Sequence, residues 1–206
     1  MSLQSRLASL ITAIGLDIKD LKSRIPALVT VLPGSPFDGQ EVFFNADSTN
    51  GVIWHLRYRS PASGGGTYGW EYVGGPPLTS VQSASAGIGV GWQDVPQMSP
   101  ITCALPGVYD AMAKCDCYAN AAPGVPCTPA FGVAVGASTP AATDYVEHIV
   151  TAAQSRTPIV TFGRLTVLTP GGDIRIRANP QGMVGGQFMT FDKRRLYVCP
   201  VRVSPA

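Results

Sequence analysis

Few residues in this chain could do acid–base or metal chemistry, and their spacing restricts them further. The 206 residues include two histidines, His55 and His148. A Ser-His-Asp relay would have to use one of them, and no nucleophile pattern accompanies either. Asp144, Glu147 and His148 offer two carboxylates and an imidazole, but no further His or Cys stands at ligand spacing, so no metal is expected. Asp110 and Asp116 share one face of an expected strand, where extended chain separates them by about 20 Å. Glycoside hydrolysis needs carboxylates about 5–9.5 Å apart. Asp47-Ser48-Thr49-Asn50-Gly51 opens like a calcium loop but lacks the bidentate acid that closes one, and reads as a turn. Gly87-Ile88-Gly89-Val90-Gly91 has neither the following helix nor the final glycine spacing of a dinucleotide loop. No catalytic residue and no cofactor are expected.

The five cysteines, Cys103, Cys115, Cys117, Cys127 and Cys199, are odd in number and contain no C-x-x-C pair. That pattern fits neither a zinc ribbon nor a disulfide framework, and buried thiols are expected. Binding chemistry is better represented. Trp54, Tyr58, Tyr68, Trp70 and Tyr72 crowd a short stretch, and rings left exposed there would stack on sugars. Core packing is the competing use of large aromatics in a small module. The net charge of +2 argues against a dedicated nucleic-acid binder, yet the charge is uneven. Eight Lys or Arg face two acids from Thr151 to Ala206, whereas seven face eleven before it. Arg175, Arg177, Lys193, Arg194 and Arg195 therefore join Trp54, Tyr58 and Trp70 as candidate surface-binding residues, for an anionic envelope polymer or an acidic neighbour. A solvated strand face is the plain alternative.

What would position such groups begins with the first 25 residues. Leu3, Leu7, Leu10, Ile14, Ile18, Leu21 and Ile25 are spaced 4-3-4 twice over, an eleven-residue repeat. At about 3.67 residues per turn the stripe runs almost parallel to the helix axis, giving a straight or slightly right-handed bundle. A lone helix of this length is marginal in water, and Gly15 costs it roughly 1 kcal/mol against alanine. Self-association through a coiled-coil seam is the reading preferred over packing on the chain's own domain. The mixed Leu and Ile seam is compatible with three strands without excluding two or four. Leu7 to Leu16 is too short to span a bilayer, and Asp17-Ile18-Lys19-Asp20 stands where a signal peptide needs small residues. Synthesis and folding in a cytoplasm, with no membrane insertion, are expected.

The rest reads as all-β. Charged residues are only 14%, and 23 Gly with 18 Pro favour short strands joined by turns. Pro26 ends the helix, and residues 26–36 read as an extended linker. Residues 37–79 read as a small antiparallel meander, with strands at Glu41–Phe44, Val52–Arg59 and around Tyr68–Tyr72. Its thin core needs symmetry mates or the next domain. Thr79 to Gly91 reads as a connection. Residues 80–206 then form a jelly-roll-like β-sandwich of eight or so strands. Within it, Tyr109, Ala111, Ala113, Cys115 and Cys117 alternate with a wetter face, and Phe131, Val133 and Val135 mark a second strand. Tyr145 to Val150 leans toward a third. Thr161–Leu168 and Asp173–Arg177 are expected as a hairpin around Thr169-Pro170-Gly171-Gly172, with Arg175 and Arg177 outward, and Phe188–Phe191 and Leu196–Val203 as the last two strands.

Three runs carry a resemblance: Asp38-Gly39-Gln40-Glu41-Val42; Gly51-Val52-Ile53-Trp54-His55-Leu56-Arg57-Tyr58; and Trp70-Glu71-Tyr72-Val73-Gly74-Gly75-Pro76-Pro77-Leu78. They resemble a segment of fibre and minor tail proteins, including head fibres, of tailed bacteriophages, particularly those infecting actinobacteria. Leu10-Ile11-Thr12-Ala13-Ile14-Gly15 with Asp17-Ile18-Lys19 is similar to the short helix that often precedes it. The likeness covers roughly the first 80 residues as a string and continues from Trp92 as a pattern. It implies a homotrimeric component of the virion surface with an attachment end and a distal β domain, made in the host cytoplasm and contacting other capsid or tail proteins. Host-surface adhesion by avidity is an added role. Two other classes remain open: a monomeric carbohydrate-binding module using the exposed aromatics, and a polysaccharide-cleaving head with carboxylates from different strands.

Overall fold

A computed structural model of the chain describes residues 3–120, 127–147, 156–181 and 188–206. Among the described residues one α-helix, α1 (Leu3–Arg24), precedes fourteen strands. Pro26 follows closely and disfavours helical geometry at Ile25, which explains the stop. Strands β1 (Ala27–Val29), β2 (Glu41–Asp47), β3 (Val52–Tyr58), β4 (Trp70–Gly74), β5 (Leu78–Gln82) and β6 (Ala86–Ile88) come next. They are followed by the two-residue strands β7 (Gln93–Asp94) and β8 (Ile101–Thr102), then β9 (Gly107–Asn120), β10 (Thr128–Val135) and β11 (Tyr145–Glu147). The chain ends with β12 (Thr157–Val167), β13 (Asp173–Gln181) and β14 (Phe188–Val203).

The strands form two sheets that pack as a jelly-roll-like sandwich. The larger runs β1-β2-β3-β4-β14-β9-β12, with β5 and β6 also on β14, and the smaller runs β11-β10-β13-β7, with β8 also on β13. The meander strands extend the larger sheet, because Glu71 and Trp70 of β4 pair with Arg202 and Val203 of β14. Residues 37–79 and 80–206 thus share one sheet and one core, which holds Val42, Trp54 and Trp70 together with Tyr109, Phe131 and Val198.

Several expected elements change. The 26–36 linker contains β1, which pairs in parallel with β2, and Leu32 is buried. The expected connection at Thr79 to Gly91 instead supplies β5 and β6, which line up along one edge of β14 while β9 occupies the other. The expected hairpin does not form: β12 pairs with β9 in one sheet and β13 with β10 in the other, so residues 169–172 turn a corner between sheets. The corner is fixed by Gly171 N–H donating to the Cys103 carbonyl and Cys103 N–H donating to that of Gly172, each at 2.9 Å. Gly171 has φ +78° and an added Cβ at Gly172 would meet Val167 Cγ1 at 2.7 Å, so both positions favour glycine. The strand expected from Tyr145 is described to Glu147; its continuation to Val150, with His148, lies outside the described residues.

The two last strands expected are one, β14, interrupted by bulges. Met189 and Phe191 face the core at odd positions, Leu196 and Val198 at even ones, and Val203 at an odd one again. Register shifts between Asp192 and Arg195, and between Pro200 and Arg202, each absorb one residue and restore the apolar side to the core. Lys193, at φ 47°, supplies the left-handed residue of the first bulge. Beside it Arg194 is fully buried, its guanidinium donating to the carbonyls of Pro96 (2.5 Å) and Ala84.

Two measurable consequences follow from this core. Arg194→Ala strands two carbonyls that the guanidinium satisfies, so urea unfolding should show a loss of about 2–4 kcal/mol. Burial pushes Cys103 and Cys117 up to about 12, and raises Cys115, Cys127 and Cys199 above the ordinary thiol value. The folded state therefore holds these protons more tightly than the unfolded chain. Their stabilisation is complete below the unfolded thiol value and is lost as pH rises through the interval up to about 12. Urea midpoints should stay level from neutral pH up to that unfolded value and fall as pH rises above it.

Candidate functional site

The helix offers apolar surface that its own domain does not cover. At about 100° per residue the seven seam positions fall within an arc of about 80°. Every described side chain from Gln4 to Ile18 is exposed. Leu7, Leu10, Ile14 and Ile18 are 49–57% exposed, and Ile25 is 65% exposed. The side chains of Leu3 and Leu21 lie outside the described ones. Ile11 borders the stripe and widens it. Ser9 and Thr12, away from the seam, turn their hydroxyls back to the carbonyls of Ser5 and Ala8, each at 3.0 Å. Full burial of a Leu or Ile side chain stabilises by about 1.5–3 kcal/mol, so covering four half-exposed ones is worth roughly 3–6 kcal/mol per chain.

The aromatic candidates are used differently. Trp54 and Trp70 are fully buried, which removes both from the binding surface. Trp54 packs between Phe44 and Tyr109 and donates its indole N–H to the Pro76 carbonyl at 3.2 Å. Tyr58 is half-buried, its ring 5.5 Å from that of Trp70. Inward alternation along β3 and β4 places these rings in the core, as small modules require.

The basic end of the chain is largely neutralised from within. Arg164 grips Asp110 with two hydrogen bonds of 2.8 and 3.0 Å, Arg202 holds Glu71 at 2.7 Å, and Arg156 holds Asp192 at 3.0 Å. Arg175 lies between Asp94 and Asp173, at 2.6 Å from each. Arg177, expected to face outward, is buried against Asp94 (3.1 Å) and the Trp92 carbonyl (2.9 Å). Arg194, also a surface candidate, is in the interior. Arg175 and Arg177, two residues apart, share one face of β13, and Asp94 with the Trp92 carbonyl closes over Arg177 while Arg175 stays half-buried. Lys193 is exposed and pairs with Asp116 at 3.3 Å; Arg195 is exposed, with Tyr197 Oη at 3.5 Å. The uneven charge of the sequence is thus mostly an internal match, the late cations meeting acids from earlier strands.

The same pairing uses up the carboxylates weighed for hydrolysis, since Asp110 is held by Arg164 and Asp116 by Lys193. His55 contacts Glu41 at 2.9 Å beside the Phe43 ring, on the exposed face of β3. Asp47 accepts from the Asn50 side chain (2.7 Å), Thr49 N–H (2.9 Å) and Asn50 N–H (3.1 Å), and these bonds, that of the side chain first, lower its pKa. Its segment is a closed turn. Among the described residues no group of three or more His, Cys, Asp or Glu could hold a metal ion, and no helix is long and apolar enough to cross a membrane.

Alternation also exposes residues that, Arg195 aside, the sequence reading passed over. The outer faces of β12, β9, β14 and β5 align Phe162, Met112, Tyr197 and Thr79 in one row, and Val160, Lys114, Arg195 and Val81 in the next. A groove of about 790 Å³ opens over Phe162, Met112 and Tyr197. The period-two pattern of β9 and β12 is the signal that could have found it.

No protein-family model and no curated protein matches the chain. Among solved structures it is similar to the Eiger TNF from S. frugiperda at TM-score 0.34 and 11% identity, over 64% of this chain and 95% of that one. It is also similar to infectious bursal disease virus structures, of the Gx strain at TM-score 0.36 and 10% identity and of the Gt strain at TM-score 0.32 and 11% identity. Those likenesses cover 84% of this chain and 55% of each viral chain, so the chain spans about half the length of the viral proteins.

Proposed function

We propose that the chain is a non-enzymatic structural component of a phage virion, a homotrimeric head or tail fibre or decoration protein. In this reading α1 joins three copies and anchors them to capsid or tail proteins, and the β-sandwich is the projecting body. The observation that carries it is the helix whose apolar stripe lies outside the core of its own chain. A helix so placed gains its stabilisation from other chains, and three equal copies form a closed bundle with which the mixed Leu and Ile seam is compatible. Host-surface adhesion is an added role of the body, each weak contact being multiplied by three.

The other two classes draw less support. Trp54 and Trp70, which a monomeric sugar-binding module would use, are core residues. Of the carboxylates that a polysaccharide-cleaving head would draw from different strands, Glu71, Asp94, Asp110 and Asp173 are engaged in ion pairs.

Removing residues 1–25 tests the anchoring role. The shortened protein should keep the circular dichroism of the sandwich and fail to enter particles assembled from the remaining virion proteins. Normal incorporation would take the helix out of the attachment role.

A further inference from the structure

Two cations on the outer face of the large sheet stand apart from the paired ones. Lys114 of β9 and Arg195 of β14 are opposite each other in register, both exposed. Facing strands lie about 4.8 Å apart, and like charges opposed across a ladder destabilise it. Neither side chain makes an ion pair among the described residues. The carboxylate farther along β9, Asp116, is held by Lys193, and Asp110 by Arg164. The apolar surround is equally uncovered: Val81 is 63% exposed, Val160 41% and Phe162 64%.

We propose that this face docks an acidic segment of a partner protein in which carboxylates flank an apolar side chain. The cation pair supplies the charge complement. The groove over Phe162, Met112 and Tyr197, next to the cationic row, accepts the apolar side chain; of the carboxylates that line it Asp110 is paired with Arg164 and Asp144 is buried, and the exposed valines at both ends of the cationic row favour a protein over a polysaccharide. Neither cation is neutralised within the described fold, Arg195 reaching only Tyr197 Oη at 3.5 Å, so their cost to the isolated sheet is recovered when a partner's carboxylates arrive. The surface belongs to the sandwich alone; loss of trimerisation through α1 would leave it in place.

The test is a methyl NMR titration of the full-length protein with acetyl-Glu-Leu-Glu-amide, acetyl-Lys-Leu-Lys-amide and a hyaluronan tetrasaccharide. The acidic peptide should shift the methyl signals of Met112, Val81 and Val160 saturably and less at high salt. Lys114→Glu should weaken it roughly tenfold. The same substitution should leave the melting temperature equal or higher, because it turns a like-charge pair into an opposite one. Lys114→Gln serves as the milder variant, and Phe162→Ala should weaken the acidic peptide as well. Unmoved methyl signals, or equal shifts with the basic peptide, would overturn the proposal. So would binding of the tetrasaccharide as tight as that of the acidic peptide, since the face would then read anions on a sugar.

Discussion

The fold depends on the ladder made by β14. This strand hydrogen-bonds β9 along one edge and β4, β5 and β6 in succession along the other. It therefore joins the early meander to the late sandwich strands, and makes their hydrophobic surfaces one core. A strand this long keeps its apolar side chains inward only if its phase is corrected. The bulges at Asp192/Arg195 and Pro200/Arg202 do so, each adding one residue where the apolar parity changes. The first bulge also turns Arg194 inward, where it ties the loops at Ala84 and Pro96 to the spine.

Electrostatics follows the same logic of closure. The excess of cations after residue 150 and of acids before it is resolved where late strands lie beside early ones, as between Arg164 and Asp110 or Arg202 and Glu71. Arg202 further holds the Gly64 and Gly65 carbonyls, so one side chain binds the glycine-rich loop, β4 and β14 together. Exposed pairs of this kind contribute up to about 1 kcal/mol each. Their larger effect is to leave little free positive charge on the outer face of the large sheet beyond Lys114 and Arg195.

Local patterns were legible in the sequence, and long-range pairing was not. The 4-3-4 spacing and Pro26 define the helix, and alternation finds the buried side of β9 from Tyr109 to Cys117. The Asp47–Gly51 turn and four buried thiols likewise follow from residue type alone, the fifth, Cys199, being half-buried. The corner at residues 169–172 looks like a hairpin because a tight turn between two strands carries the same residues whether the strands pair or separate into facing sheets. A change of parity from Phe191 to Leu196 looks like a break between strands, since a bulge and a loop both shift the phase. Trp54 and Trp70 could serve a surface or a core by type; the partner sheet decides, and residues far along the chain supply it. The buried arginines escaped for the same reason, because Asp94 and the carbonyls that receive them come from distant segments.

Among the described residues the helix keeps its apolar stripe outside the core of the chain. In the proposed trimer the free energy of association comes from burying Leu7, Leu10, Ile14 and Ile18 against equivalent residues of other copies. Sedimentation equilibrium of the full-length protein beside one beginning at Ala27 measures this directly. The account predicts three times the chain mass of 21.6 kDa for the full-length protein and a single folded chain for the shorter one. A full-length monomer would contradict it, because the exposed stripe would then have no assembly to serve.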